Sequence, residues 1–132
     1  MKSKYLVFSL LLIGFSLSSC RFTIEESDYV GHYEGTYRLG NFFPSEGNAV
    51  LDITSAGNNK CNIMFWSAGS DSIFYYNWNV KRVSGGIYGA NANFYPNGNS
   101  SSNGYVVKAI HYASLYLNDA SVYLYFTGYR TN

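Results

Sequence analysis

From Tyr29 onward, apolar and polar residues alternate in short runs separated by turn signals, the period-two pattern of half-buried β-strands. Tyr29 to Arg38 sets Tyr29, Gly31, Tyr33, Gly35 and Tyr37 on one face, with Val30, His32, Glu34, Thr36 and Arg38 on the other. A loop containing Pro44 spans Gly40 to Gly47, and Asn48 to Thr54 follows with Ala49, Leu51 and Ile53 pointing inward. Gly57-Asn58-Asn59 predicts a tight hairpin returning through Lys60 to Trp66, and Gly69-Ser70-Asp71 predicts the next turn. Ser72 to Val83 carries Phe74, Tyr76, Trp78 and Val80 on one side and Tyr75, Asn77, Asn79 and Lys81 on the other. Gly85-Gly86 leads into Ile87 to Tyr95. Pro96 to Asn103 is polar, with three consecutive serines, and predicts a mobile loop or tip. Tyr105 to Tyr112 and Leu115 to Leu117 form one bent strand or two. Asn118-Asp119-Ala120 reads as a tight turn and Ser121 to Arg130 as the last strand.

Seven or eight antiparallel strands joined by hairpins, without a convincing amphipathic helix, define an all-β chain, either a sandwich or an up-and-down barrel. The serial hairpins favour a single antiparallel barrel of about eight strands. Gly31 and Gly35 support this, because glycine lets a strand bend where a barrel coils. A barrel of that size is either filled by side chains or holds one small ligand.

The first twenty residues follow a different pattern. Lys2 and Lys4 precede an uncharged, largely apolar run from Tyr5 to Leu17, too short to span a bilayer as a helix. Such a run is a leader, a buried helix or an uncleaved anchor. Its ending, Leu17-Ser18-Ser19-Cys20, resembles the lipobox of bacterial lipoproteins, in which small residues precede a cysteine that is acylated as the leader is removed. The resemblance implies a signal peptide over 1–19, a lipidated Cys20 with a tether over 20–28, and a domain over 29–132. Arg21, in place of an aspartate that would indicate inner-membrane retention, points by the same resemblance to the outer membrane. Glu25, Glu26 and Asp28 are similar to surface-export signals of Bacteroidetes lipoproteins, or simply form a solvated tether.

Without the leader, seven basic residues face eight acidic ones, a net charge of −1. That is no nucleic-acid footprint, which requires clustered Lys and Arg. The 14 tyrosines suit pleated, half-buried surfaces. With Cys20 lipidated, Cys61 has no disulfide partner in the chain, and its place in Cys61-Asn62-Ile63-Met64-Phe65 is that of a small core residue.

Asp28-Tyr29-Val30-Gly31-His32-Tyr33-Glu34-Gly35-Thr36-Tyr37 resembles the opening strand of the calycin-like (lipocalin-like) lipoproteins of Bacteroidetes. Val122 to Arg130, with Phe126-Thr127-Gly128 followed by a basic residue, is similar to their last strand. The resemblance implies a small lipocalin-like barrel. Gly31-His32-Tyr33 stands where lipocalins proper have Gly-x-Trp, so their ligand chemistry does not carry over.

Chemistry-bearing groups are few. His32 and Glu34 share a strand face and would reach a metal if His111 lay beside them, but metal sites need more convergent donors. Glu34 and Asp52 are candidate paired carboxylates for glycoside hydrolysis, with nothing to place them across one cleft. No nucleophile elbow or phosphate-cradling loop is present. The expectation is a non-catalytic protein with neither cofactor nor metal. Its membrane partner would be reached through the N-terminal lipid. Tyr33, Tyr37, Tyr76 and Trp78 are the candidate interior, lining a pocket for a small hydrophobic or aromatic ligand or filling the barrel. Tyr75, Tyr116, Tyr123 and Tyr125 are the candidate outer surface, a strip that stabilises the sheet or docks a glycan or protein.

Overall fold

The alternation closes on itself. A computed structural model describes residues 23–40, 45–67, 73–85, 89–98, 100–119 and 122–131, with the backbone alone at 73–76, 119 and 122. The predicted leader, Cys20 and the turns at 69–71 and 86 lie outside the described residues. Eight strands follow one another: β1 (Gly31–Leu39), β2 (Ser45–Gly57), β3 (Lys60–Ser67), β4 (Ile73–Val83), β5 (Asn91–Pro96), β6 (Asn103–Val107), β7 (Tyr112–Asp119) and β8 (Val122–Thr131). Each pairs antiparallel with the next, and β8 pairs with β1, giving a closed up-and-down barrel. Closure matters physically because it leaves no row of unpaired strand-edge amides.

The inward parity read from the sequence holds wherever side chains are described. Tyr33, Leu51, Ile53, Ile63, Phe65, Trp78, Val106, Leu115, Leu117, Leu124 and Phe126 are buried in one continuous core. Phe65 meets Tyr37 and Phe126 edge-on, at ring-centroid distances of 5.8 and 6.0 Å. Cys61 is fully buried, and burial pushes its thiol pKa up to about 12. The β2–β3 hairpin turns through Asn58 and Asn59, both left-handed with φ of 50° and 57°, the geometry of a type I′ turn.

Three local expectations change. First, β1 begins at Gly31, because Glu26–Tyr29 forms a helical turn, α1. The Glu25 amide donates to Asp28 Oδ2 at 2.8 Å and holds the turn's start. This segment, read as a tether up to Asp28 and as strand from Tyr29, packs into one rim: Ile24 and Tyr29 are buried, and Tyr29 meets Phe94 edge-on at 5.7 Å. Cations from three other parts of the barrel clamp it. Lys108 Nζ lies 2.8 Å from Asp28, Arg130 Nη1 donates to the Ser27 carbonyl at 2.7 Å, and Arg82 Nη2 donates to the Tyr29 hydroxyl at 3.2 Å.

Second, the Tyr105–Tyr112 run is two strands. A single 3-10 turn at Lys108–Ile110 and a left-handed His111 (φ 50°) separate β6 from β7. Third, the predicted mobile tip is held by hydrogen bonds. Ser102 is buried and its hydroxyl accepts from the Asn118 amide at 2.9 Å, while Asn118 Nδ2 donates to Ser101 Oγ at 2.7 Å. Asn79 Nδ2 also donates to Asn97 Oδ1 at 2.6 Å.

Candidate functional site

Two of the four interior candidates, Tyr33 and Trp78, are buried in the core. Tyr33 is wholly buried and donates its hydroxyl to the Tyr29 carbonyl at 2.8 Å; burial, opposed by Arg130 and reinforced by Asp28, pushes its phenol up to about 12. Trp78 is also buried. Tyr37 lies nearer the opposite rim, half-buried, with its hydroxyl 3.4 Å from Ser45 Oγ. The side chain of Tyr76 lies outside the described residues; its backbone pairs with Ile63.

The outer candidates divide. Tyr116 and Tyr125 are direct cross-strand partners on β7 and β8, and Tyr123 follows on the same face of β8. Tyr75 belongs to β4, four strands from β8 around the barrel, so it is not part of this group; its side chain lies outside the described residues. The structure instead adds Tyr105, Tyr112 and Tyr129. Tyr112 lies 6.1 Å from Tyr105 and 5.4 Å from Tyr129, measured between ring centroids. Burial, with Tyr125 and Tyr105 adding to it, pushes the Tyr112 phenol up to about 12. Ser114 is buried although it points outward by parity, so the tyrosines form a second layer over the sheet. Tyr123 and Tyr125 still keep 41% and 48% of their surface exposed. Outward parity on the last strand would have found Tyr129, whereas Tyr105 and Tyr112, seven residues apart, share the outer face only because the 3-10 turn at Lys108–Ile110 interrupts the alternation.

A second cluster occupies the outer face of β1–β3. Asp52 Oδ1 lies 2.6 Å from His32 Nδ1, and Glu34 Oε1 lies 3.6 Å from His32 Nε2. A carboxylate only accepts, so the shorter contact places a proton on Nδ1. Glu34 and Asp52 thus flank one imidazole, which stands where the scissile bond would have to sit between paired glycosidase carboxylates. His111 is exposed at the β6–β7 connection. Among the described residues, no group of three or more His, Cys, Asp or Glu is placed to hold a metal. The His32 ring tilts against Trp66 at 6.1 Å, a residue that the sequence reading left unassigned.

Open grooves run over the outer surface of β1–β3, β7 and β8. One of about 410 Å³ lies between Glu34, Thr36, Asn48, Val50 and Trp66. A second, of about 360 Å³, lies among Thr36, Arg38, Glu46, Asn48, Tyr125 and Thr127. A third, of about 390 Å³, is bounded by Arg38, Tyr116, Tyr123 and Tyr125. Their volumes fall in the range of small-ligand sites, although they are open to solvent. Comparison with protein-family models, with curated proteins and with solved structures gives no match.

Proposed function

We propose that this chain is an envelope lipoprotein, acylated at Cys20 and held at the outer membrane, whose calycin-like barrel is a non-catalytic module docking a glycan on its outer tyrosine face. The observation that carries this reading is the cluster of Tyr116, Tyr123 and Tyr125, half-exposed beside an open groove while Tyr33 and Trp78 are buried in the core. Tyrosine offers a flat apolar ring and a hydrogen-bonding hydroxyl at little conformational cost, the combination that suits contact surfaces. A purely structural ladder would gain by covering these rings, yet Tyr123 and Tyr125 remain open to solvent. Closure of the barrel removes the strand edge to which an extended peptide would add, which favours side-chain recognition over β-augmentation.

Affinity electrophoresis tests the reading with leaderless Arg21–Asn132, which retains every described strand. Native gels containing amylopectin, xylan, mannan or galactan should retard the protein in at least one case. The double substitution Tyr123→Ala/Tyr125→Ala should restore its mobility. Absence of retardation in every gel, or equal retardation of the double variant, would overturn the reading.

A further inference from the structure

The strand registers place outward side chains in rows that cross the barrel. One row runs Asn48, Thr36, Thr127, Ser114, over β2, β1, β8 and β7. All four side chains are short and polar. The row on one side is Trp66, Val50, Glu34, Tyr129, Tyr112, and on the other Glu46, Arg38, Tyr125, Tyr116. Short residues between two taller rows make a channel floor with walls.

The first two grooves follow this floor: they share Thr36 and Asn48, so the depression is continuous from Trp66 to Thr127 and Tyr125, while the third lies beyond the Arg38–Tyr125 wall. It crosses four strands, β3, β2, β1 and β8, and therefore spans roughly 14 Å at the usual inter-strand spacing. Toward β7, Ser114 is buried, so the open floor ends at Thr127.

We propose that this channel binds a linear, uncharged oligosaccharide lying across the strands, with Trp66 as the platform at one end and Tyr125 at the other. The inference rests on the glycan reading above and gives it a direction, a length and a chemical class. Its floor supplies hydroxyls and an amide, groups that both donate and accept, as sugar hydroxyls do. Arg38 pairs with Glu46 at 3.4 Å in the wall, and His32 stands beside Glu34, so no run of one charge selects an ionic ligand. The aromatic groups at the two ends offer faces to sugar rings, and the span exceeds what one ring can use.

The test is calorimetric titration of leaderless protein with size-graded fragments, from disaccharide to octasaccharide, of the polysaccharides used in the gels. Affinity should rise at least tenfold from the disaccharide to the hexasaccharide of the recognised polymer and then level off. Thr36→Trp, which fills the floor at an exposed position, should weaken hexasaccharide binding at least tenfold, and Trp66→Ala should weaken it fivefold or more. Retention of wild-type affinity by both variants, while Tyr123→Ala/Tyr125→Ala abolishes binding, would overturn the channel and leave the tyrosine face standing. Failure of the wild-type chain to bind any polysaccharide or fragment would overturn both.

Discussion

Gly35 on β1 and Gly128 on β8 are direct partners across the seam that closes the barrel, and neither has room for a side chain. A Cβ on Gly35 would overlap the Thr127 carbonyl, and one on Gly128 would stand 2.6 Å from the Phe126 ring. The close approach at this pair lets Phe126 lie across the core beneath the seam. Gly35→Ala is therefore expected to destabilise the protein by about 3 kcal/mol, because the obstruction is backbone and cannot swing aside. Urea unfolding checks this: an unchanged midpoint would mean that the seam yields at no cost.

Trp78 is among the largest fully buried side chains. Trp78→Ala should lower stability by about 3 kcal/mol or more, from lost burial and the cavity left behind. The urea midpoint should fall accordingly; a shift equivalent to less than about 1 kcal/mol would show that the core collapses readily around the site.

The rim clamp predicts a pH dependence. Burial opposes ionisation of Asp28, but the Glu25 amide and the Lys108 and Arg130 cations outweigh it and hold its pKa below the ordinary 3.8. A carboxyl depressed in the folded state stabilises above its unfolded pKa and loses that contribution as pH falls through the folded value. Asp28→Asn should thus be less stable than wild type at neutral pH. The two denaturation midpoints should converge as pH drops below 3.8. A gap independent of pH would exclude the charge as its source.

Cys61 is fully buried with its thiol pKa raised to about 12. Thiol reagents react with the thiolate, so the folded protein should be inert to them and label only through unfolding. Labelling rates should rise in step with the unfolded fraction across a urea series. Rapid stoichiometric labelling in water would show an open route to β3.

Acylation of Cys20 is testable independently of the barrel. Cys20→Ala should abolish incorporation of labelled fatty acid and release the protein from the membrane fraction. A variant that stays bound, with no acyl label on either form, would remove lipid as the anchor.

Strand parity was legible because burial imposes a period of two: Tyr33, Leu51, Phe65 and Trp78 all face inward as the alternation requires. Gly35 was legible as a bend, but its dependence on Gly128 was not, since a register links residues far apart in sequence. The helical turn at Glu26–Tyr29 escaped because four residues carry too little periodicity to stand against a tether. Its capping pair, Glu25 and Asp28, was the available signal. The Pro96 to Asn103 run read as mobile from its serines, yet Ser102 is held by Asn118, a partner no local pattern reveals. The channel floor was hidden for the same reason: Asn48, Thr36 and Thr127 are unremarkable alone and form a row only when three strands lie side by side.

An even number of antiparallel strands brings both ends of the barrel chain to one rim, and the clamp there has a mechanical meaning. A pull applied at Thr23 does not fall first on the opening strand. Lys108, which also donates to the Thr23 carbonyl, Arg130 and Arg82 pass the load to the β6–β7 connection, to β8 and to β4. Tension is shared around the circumference before β1 is loaded, so under such a pull the barrel resists peeling from its leading edge and responds as a single body.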